Sequence, residues 1–152
     1  MKRDHLVSLA HTTSWLAVVA ISLFVRTPTA LSAPVATVLG ILIFAGGLAV
    51  FGWAVAYLRL ESLGIIEPVS EQLLEVGPYQ YVRHPIYLGV IIAVVGLALA
   101  LRSLWGVAAT AVLFVPASVY RARLEEAAVA KRFGDRWQNY VSDTYFMFPP
   151  LY

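Results

Sequence analysis

The chain alternates long apolar runs with short polar breaks, and the lengths of those runs predict helices that cross a bilayer. A bilayer core takes about 20 apolar residues per helix, with about 17 as a lower limit. Four segments fit that reading, at about 6–25, 34–58, 86–101 and 104–120. The last two are short and separated only by Arg102-Ser103, which predicts a tight antiparallel hairpin. In the third segment Gly89 pairs with Ala93 and Gly96 with Ala100 at four-residue spacing, and Gly46-Gly47 lie in the second. Small residues so placed let helix backbones approach closely in lipid. Pro116 predicts a kink or a freed carbonyl in the fourth segment, because it lacks an N–H and crowds the preceding turn.

Two polar stretches remain. Residues 59–85, RLESLGIIEPVSEQLLEVGPYQYVRHP, are broken by Gly64, Pro68 and Gly77-Pro78 but carry Ile65, Ile66, Leu73, Leu74, Tyr79 and Tyr81, so an ordered loop is expected. Residues 121–141, RARLEEAAVAKRFGDRWQNYV, read as an amphipathic helix at the membrane surface, interrupted at Gly134. The expectation is an all-α integral membrane protein: one domain over 1–152, four transmembrane helices and a C-terminal cytoplasmic amphipathic helix.

Composition strengthens the membrane reading. The chain is 60% hydrophobic and 13% charged, where a soluble domain would be nearer half and a quarter. A net charge of +2 with no basic stripe excludes nucleic acid as a partner. The absence of cysteine excludes disulfides, thiolate metal sites and cysteine nucleophiles. His5, His11 and His84 have no ligand partner at i+3 or i+4, so no metal site is expected. Charge also orients the helices: nine basic residues (Lys2, Arg3, Arg59, Arg83, Arg121, Arg123, Lys131, Arg132 and Arg136) fall on one side and two, Arg26 and Arg102, on the other. The excess predicts that both termini, the 59–85 loop and the C-terminal tail are cytoplasmic. MKRDH, an apolar run and TALSA also outline a secretory leader, but the run is long enough to favour a retained span.

The hairpin brings distant residues together. Arg83 and His84 precede the third span, while Arg121 and Glu125, one helical turn apart, follow the fourth. Two cations, an imidazole and a carboxylate thus meet at one mouth of the bundle. The third helix adds free N–H groups and a positive dipole end, which suits an anionic group. The carboxylates suit hydroxyls or an ammonium. Snorkelling arginines and surface ion pairs are the structural alternative.

These residues also form a pattern: Gly77-x-Tyr79, Arg83-His84-Pro85-x-Tyr87-x-Gly89, a short hairpin, Glu125-Glu126, then Phe133-Gly134 followed by Trp137 and Tyr140. Over about 70–141 the chain resembles the isoprenylcysteine carboxyl methyltransferase and phospholipid methyltransferase superfamily of integral membrane enzymes. Trp137 stands where that pattern has its first tyrosine. The resemblance implies methyl transfer from S-adenosylmethionine bound on the cytoplasmic side by segments 64–87 and 121–141. It implies cofactor contacts from Tyr79, Arg83, His84, Tyr87, Glu125 and Glu126 and from the backbone around Leu73 and Leu74, with Arg121 positioning the acceptor. The acceptor implied is lipophilic, either an isoprenylcysteine-like carboxylate or a phospholipid. The tail SDTYFMFPPLY departs from the pattern by lacking an arginine, which puts acceptor identity in doubt. It is expected to close over the pocket through Tyr145, Phe146 and Phe148. Two other readings are a nicotinamide-dependent membrane reductase, for which the chain is short, and a non-enzymatic membrane interaction protein that keeps the fold. The small size suggests the cytoplasmic membrane of a prokaryote.

Overall fold

The computed structural model describes residues 2–27, 31–58 and 73–149. The first part of the expected ordered loop, 59–72, lies outside the described residues. Those described form five helices: α1 (Lys2–Phe24), α2 (Ala33–Tyr57), α3 (Pro85–Ala100), α4 (Leu104–Phe133) and α5 (Asp135–Asp143). A single 3₁₀ turn, Gly77–Gln80, precedes α3. No strand occurs among the described residues; Val82 and Tyr145 pair as an isolated parallel bridge.

Local sequence sets each boundary. Pro34 lies in the first turn of α2, where its missing N–H costs nothing. Pro85 opens α3 in the same way and holds His84, the N-cap, outside the helical region at φ −124° and ψ 57°. The Ser103 hydroxyl caps α4 by accepting from the Gly106 N–H at 3.0 Å. Gly134, at φ 53°, ends α4 and admits α5.

Three helices are long and apolar enough to cross a membrane: His5–Phe24, Ala33–Tyr57 and Leu104–Phe133. With 16 residues, α3 is shorter; at 1.5 Å per residue it spans about 24 Å, against a core of about 30 Å. The fourth apolar segment does not end near Tyr120, as its hydrophobicity suggested. It runs on as one helix to Phe133, because nothing between Pro116 and Gly134 breaks it and Arg121 pairs with Glu125 across one turn. The expected separate helix over 121–141 is therefore the end of α4 plus the short α5, in which Trp137 and Tyr140 are buried. Pro116 produces no break. The backbone ahead of it widens into a π turn over Thr110–Phe114, with Val115 N–H bonded to Thr110 O.

Packing is inverted relative to a soluble protein. The buried residues of α2 are Ala36, Gly40, Gly47 and Ala54, while Val38, Leu39, Ile41, Leu42 and Trp53 are exposed. The helix turns its small face inward and its large apolar face outward, which suits lipid rather than water. Its partner is α3. A Cβ added at Gly47 would lie 2.3 Å from Ala93 N, one at Gly40 2.2 Å from Ala100 N, and one at Gly96 2.3 Å from Phe44 N. The small pairs of α3 thus meet Gly40 and Gly47, while a Cβ on Gly46 would meet nothing. The core beyond this seam gathers Val18, Ile91, Val94, Phe114, Ala122, Phe146 and Met147.

The bundle has two distinct ends. At one, Thr27 N–H donates to Arg102 O at 2.9 Å and Leu104 N–H to Thr27 Oγ1 at 2.7 Å, tying α1 to the α3–α4 turn. The other end holds the starts of α1 and α3 and the polar part of α4.

Candidate functional site

Because Pro85 fixes the helix start, Arg83 and His84 are presented at the mouth of α3 ahead of its first turn. Opposite them, α4 carries Arg121, Glu125 and Glu126. The two adjacent glutamates are treated differently. Glu126 is engaged on both oxygens: Arg83 Nε lies 2.6 Å from its Oε1 and Arg123 Nη1 3.0 Å from its Oε2. His84 Nε2 lies 3.5 Å from Glu126 Oε1, at ion-pair range but without hydrogen-bond geometry.

Glu125 is held by one oxygen. Its Oε1 accepts from Tyr87 Oη at 2.6 Å and from Arg121 Nε at 3.2 Å. Its Oε2 has His84 Nδ1 at 3.9 Å, too far for a hydrogen bond. The carboxylate is thus oriented while keeping acceptor capacity, since an ionised carboxylate offers about four lone-pair sites.

Donor atoms without partners lie beside it. Among the described residues three buried side-chain polar atoms lack a hydrogen-bond partner: Tyr79 Oη, His84 Nε2 and Arg102 Nε. The first two belong to this cluster, and Tyr79 is near enough to feel the charge of Glu125. Burial, with the Glu125 charge second, pushes the Tyr79 phenol above its ordinary range and keeps it protonated. Its backbone is fixed from behind, where Tyr140 Oη donates to Tyr79 O at 2.6 Å. A buried polar atom left unpaired costs free energy; Tyr79 Oη carries that cost near the Glu125 charge, while His84 Nε2 is turned toward Glu126.

The tail forms one wall. Arg83 N–H donates to Tyr145 O at 2.9 Å and Tyr145 N–H to Tyr81 O at 3.0 Å. The Arg83 guanidinium also donates to the carbonyls of Val141 and Thr144. Phe146 is buried, with its ring 5.0 Å from His84 and the Arg123 guanidinium 4.2 Å over its face. Of the three tail residues expected to close the site, Phe146 meets the cluster, Tyr145 contributes backbone and leaves its ring exposed, and Phe148 packs on the core.

The structure therefore brings together six of the residues read from the sequence: Arg83, His84, Tyr87, Arg121, Glu125 and Glu126. Tyr79 stands beside them. Leu73 and Leu74, half-buried at the start of a described stretch, are not among the residues that meet the carboxylates. The sequence reading missed α1. Arg121 Nη1 donates to Ser8 Oγ at 3.1 Å, and His11 Nε2 lies 3.1 Å from Ser118 Oγ. A histidine within an apolar span, on the same face as Ser8, was the available signal. A separate polar cleft of ≈ 380 Å³ lies between the 3₁₀ turn and α5, lined by Glu75, Gln80, Arg136, Asn139, Tyr140, Asp143 and Thr144. None of the cofactor or acceptor residues read from the sequence lines it, although Tyr140 of the motif does.

A sequence profile of phospholipid methyltransferases matches residues 35–136, about two thirds of the chain. The chain belongs to the phospholipid methyltransferase family. No curated protein matches it significantly. For a phospholipid methyltransferase, three apolar helices of spanning length fit residence as an integral membrane protein. The matched stretch contains all six clustered residues, so the carboxylate site belongs to the family's portion of the chain. The first helix and most of the tail lie outside it.

Proposed function

We propose that the chain transfers a methyl group from S-adenosylmethionine to a lipophilic acceptor, using the Glu125 site at the cytoplasmic end of a four-span bundle. The observation that carries this reading is the Glu125 carboxylate, fixed through Oε1 and open at Oε2, with the unpartnered Tyr79 Oη near enough to feel its charge. In this reading Glu125 accepts from the ribose hydroxyls or ammonium of the cofactor. Tyr79 donates its phenol hydroxyl and offers an aromatic face. His84, as N-cap, and the first free N–H groups of α3 favour the carboxylate. Bound there, the cofactor supplies an electrophilic methyl group on a sulfonium.

The remaining chemistry needs no protein nucleophile. An in-line displacement requires alignment and the exclusion of water, and alignment alone can account for much of a barrier reduction. Phe146 closes one side with apolar surface, and Arg121 sits buried between Glu125 and Ser8, where an acceptor's polar head would arrive. The outward apolar faces of α1 and α2 suit entry of an acceptor from lipid. The bias of basic residues supports cytoplasmic termini.

The test is calorimetric titration of S-adenosylhomocysteine into the detergent-purified chain, with Glu125→Ala as control. Binding by the wild type that is lost in Glu125→Ala supports the reading. A folded wild type that binds nothing, or a mutant that binds equally, overturns it.

A further inference from the structure

We propose that α1 acts as a brace: through Ser8 and His11 it positions Tyr87 and Arg121, the two residues that hold Glu125 Oε1. This inference rests on the proposed cofactor site and assigns to it a helix that the family match does not reach, since the matched stretch begins at residue 35.

The contacts converge from one face of each helix. Ser8 and His11 are three apart on α1, and Ser118, Arg121 and Glu125 follow at three- and four-residue steps on α4, so each set shares a face. Ser8 Oγ accepts from Arg121 Nη1 at 3.1 Å, while the same guanidinium sends Nε to Glu125. His11 stands edge-on to the Tyr87 ring, with centroids 5.4 Å apart and planes at 78°. Its Nε2 lies 3.1 Å from Ser118 Oγ, and Phe114 packs against its other side at 5.1 Å. Ser118 and Phe114 are fully buried, so the imidazole is fixed at both its polar and its apolar edge.

The brace matters because Glu125 sits at the rim of the site. A glutamate has several rotatable bonds, and ordering them on ligand binding costs affinity unless they are ordered beforehand. Tyr87 and Arg121 supply that order only if they are held themselves, and on the α1 side Ser8 and His11 hold them. His11 does not touch Glu125, so it is a positioning residue. Ionisable side chains within a membrane-spanning helix are expensive and face the bundle interior when they occur; His11 does so, with Ser8 on the same face.

A double-mutant cycle tests the brace. Affinity for S-adenosylhomocysteine is measured by calorimetry on the full chain for the wild type, His11→Ala, Tyr87→Phe and the double variant, with thermal unfolding of each. His11→Ala is expected to weaken binding about tenfold, a typical coupling for residues in one network. In the Tyr87→Phe background, where the hydroxyl bond to Glu125 is already gone, the same change is expected to cost nothing further. Ser8→Ala, a smaller change that retains the fold, is expected to weaken binding several-fold. Losses that simply add would make His11 a packing residue and overturn the proposal. Wild-type affinity in His11→Ala and Ser8→Ala, alongside lost binding in Glu125→Ala, overturns the brace and leaves the site reading intact. A wild type that does not bind overturns the site reading itself.

Discussion

Two neighbouring glutamates divide structure from function. Glu126 is satisfied on both oxygens and neutralises Arg83, which is buried at the mouth of α3. Removing one partner of such a pair strands the other charge, so this pair stabilises the geometry of the site. Glu125 keeps an oxygen in reserve, and the buried Tyr79 hydroxyl, near enough to feel its charge, is unused. Tyr79→Phe should therefore cost the free protein little, because the lost hydroxyl has no partner among the described residues, while it weakens S-adenosylhomocysteine binding by about 1–1.5 kcal/mol. Thermal unfolding and calorimetry on the same sample read both effects. The variant should also alter the alkaline limit of stability. Burial raises the phenols of Tyr79 and Tyr140 above their ordinary range, for Tyr79 with help from Glu125. An unfolded tyrosine loses its proton near pH 10. Above that pH the folded chain binds more protons than the unfolded one, so stability is full below about pH 10 and falls as pH rises. With one of the two phenols removed, the decline in melting temperature from about pH 10 upward should be shallower than in the wild type. An identical decline would show that Tyr79 does not titrate as argued.

At the scale of helices, the seam between α2 and α3 is made by what is missing. Backbones approach because Gly40, Gly47, Gly89 and Gly96 have no side chain to separate them. Gly47→Ala places a Cβ 2.3 Å from Ala93 N, so the helices must part. Overpacking of this kind costs about 1–3 kcal/mol, and the melting temperature in detergent should fall accordingly. Gly46→Ala places its Cβ in open space and should leave melting unchanged or slightly raised. Equal effects from the two would refute the seam. The four-residue spacing of small residues on α3 was readable in the sequence; of their partners on α2, Gly47 was readable only as half of the Gly46-Gly47 pair and Gly40 was not. There Gly40 and Gly47 are seven apart, and Gly46 masks which glycine faces inward. The same limit explains the rest. Arg83, His84, Tyr87, Arg121 and Glu125 were legible because Pro85 fixes where α3 begins and helical spacing aligns Arg121 with Glu125. The continuity of α4 past Tyr120 was not, because falling hydrophobicity marks where apolar surface stops and not where a helix ends. Ser8 with Arg121 and Val82 with Tyr145 were not legible either: the first joins residues 113 positions apart, and the second is a backbone pairing that no side chain announces.

At the scale of the whole molecule, the short α3 decides the topology. Three helices have the length to cross a bilayer and α3 does not meet that length alone. Yet its two ends belong to opposite ends of the bundle. Arg83, just before it, bonds Glu126 near the polar end of α4, while Arg102, just after it, accepts from Thr27 at the far end of α1. A helix joining these two ends runs the depth of the bundle, and the bilayer can thin or the flanking residues snorkel to accommodate about 6 Å of deficit. Four crossings place Ser32, between α1 and α2, opposite Asp143, at the end of α5. Three crossings place them on the same side. The chain contains no cysteine, so Ser32→Cys and Asp143→Cys, at two exposed positions, are clean probes for a membrane-impermeant maleimide. In right-side-out vesicles Ser32→Cys should label and Asp143→Cys should not, with the reverse in inverted vesicles. Labelling of both from one side would remove α3 from the membrane count and leave the Glu125 site facing away from a cytoplasmic cofactor. The topology experiment therefore bears on the chemistry as directly as a binding titration does.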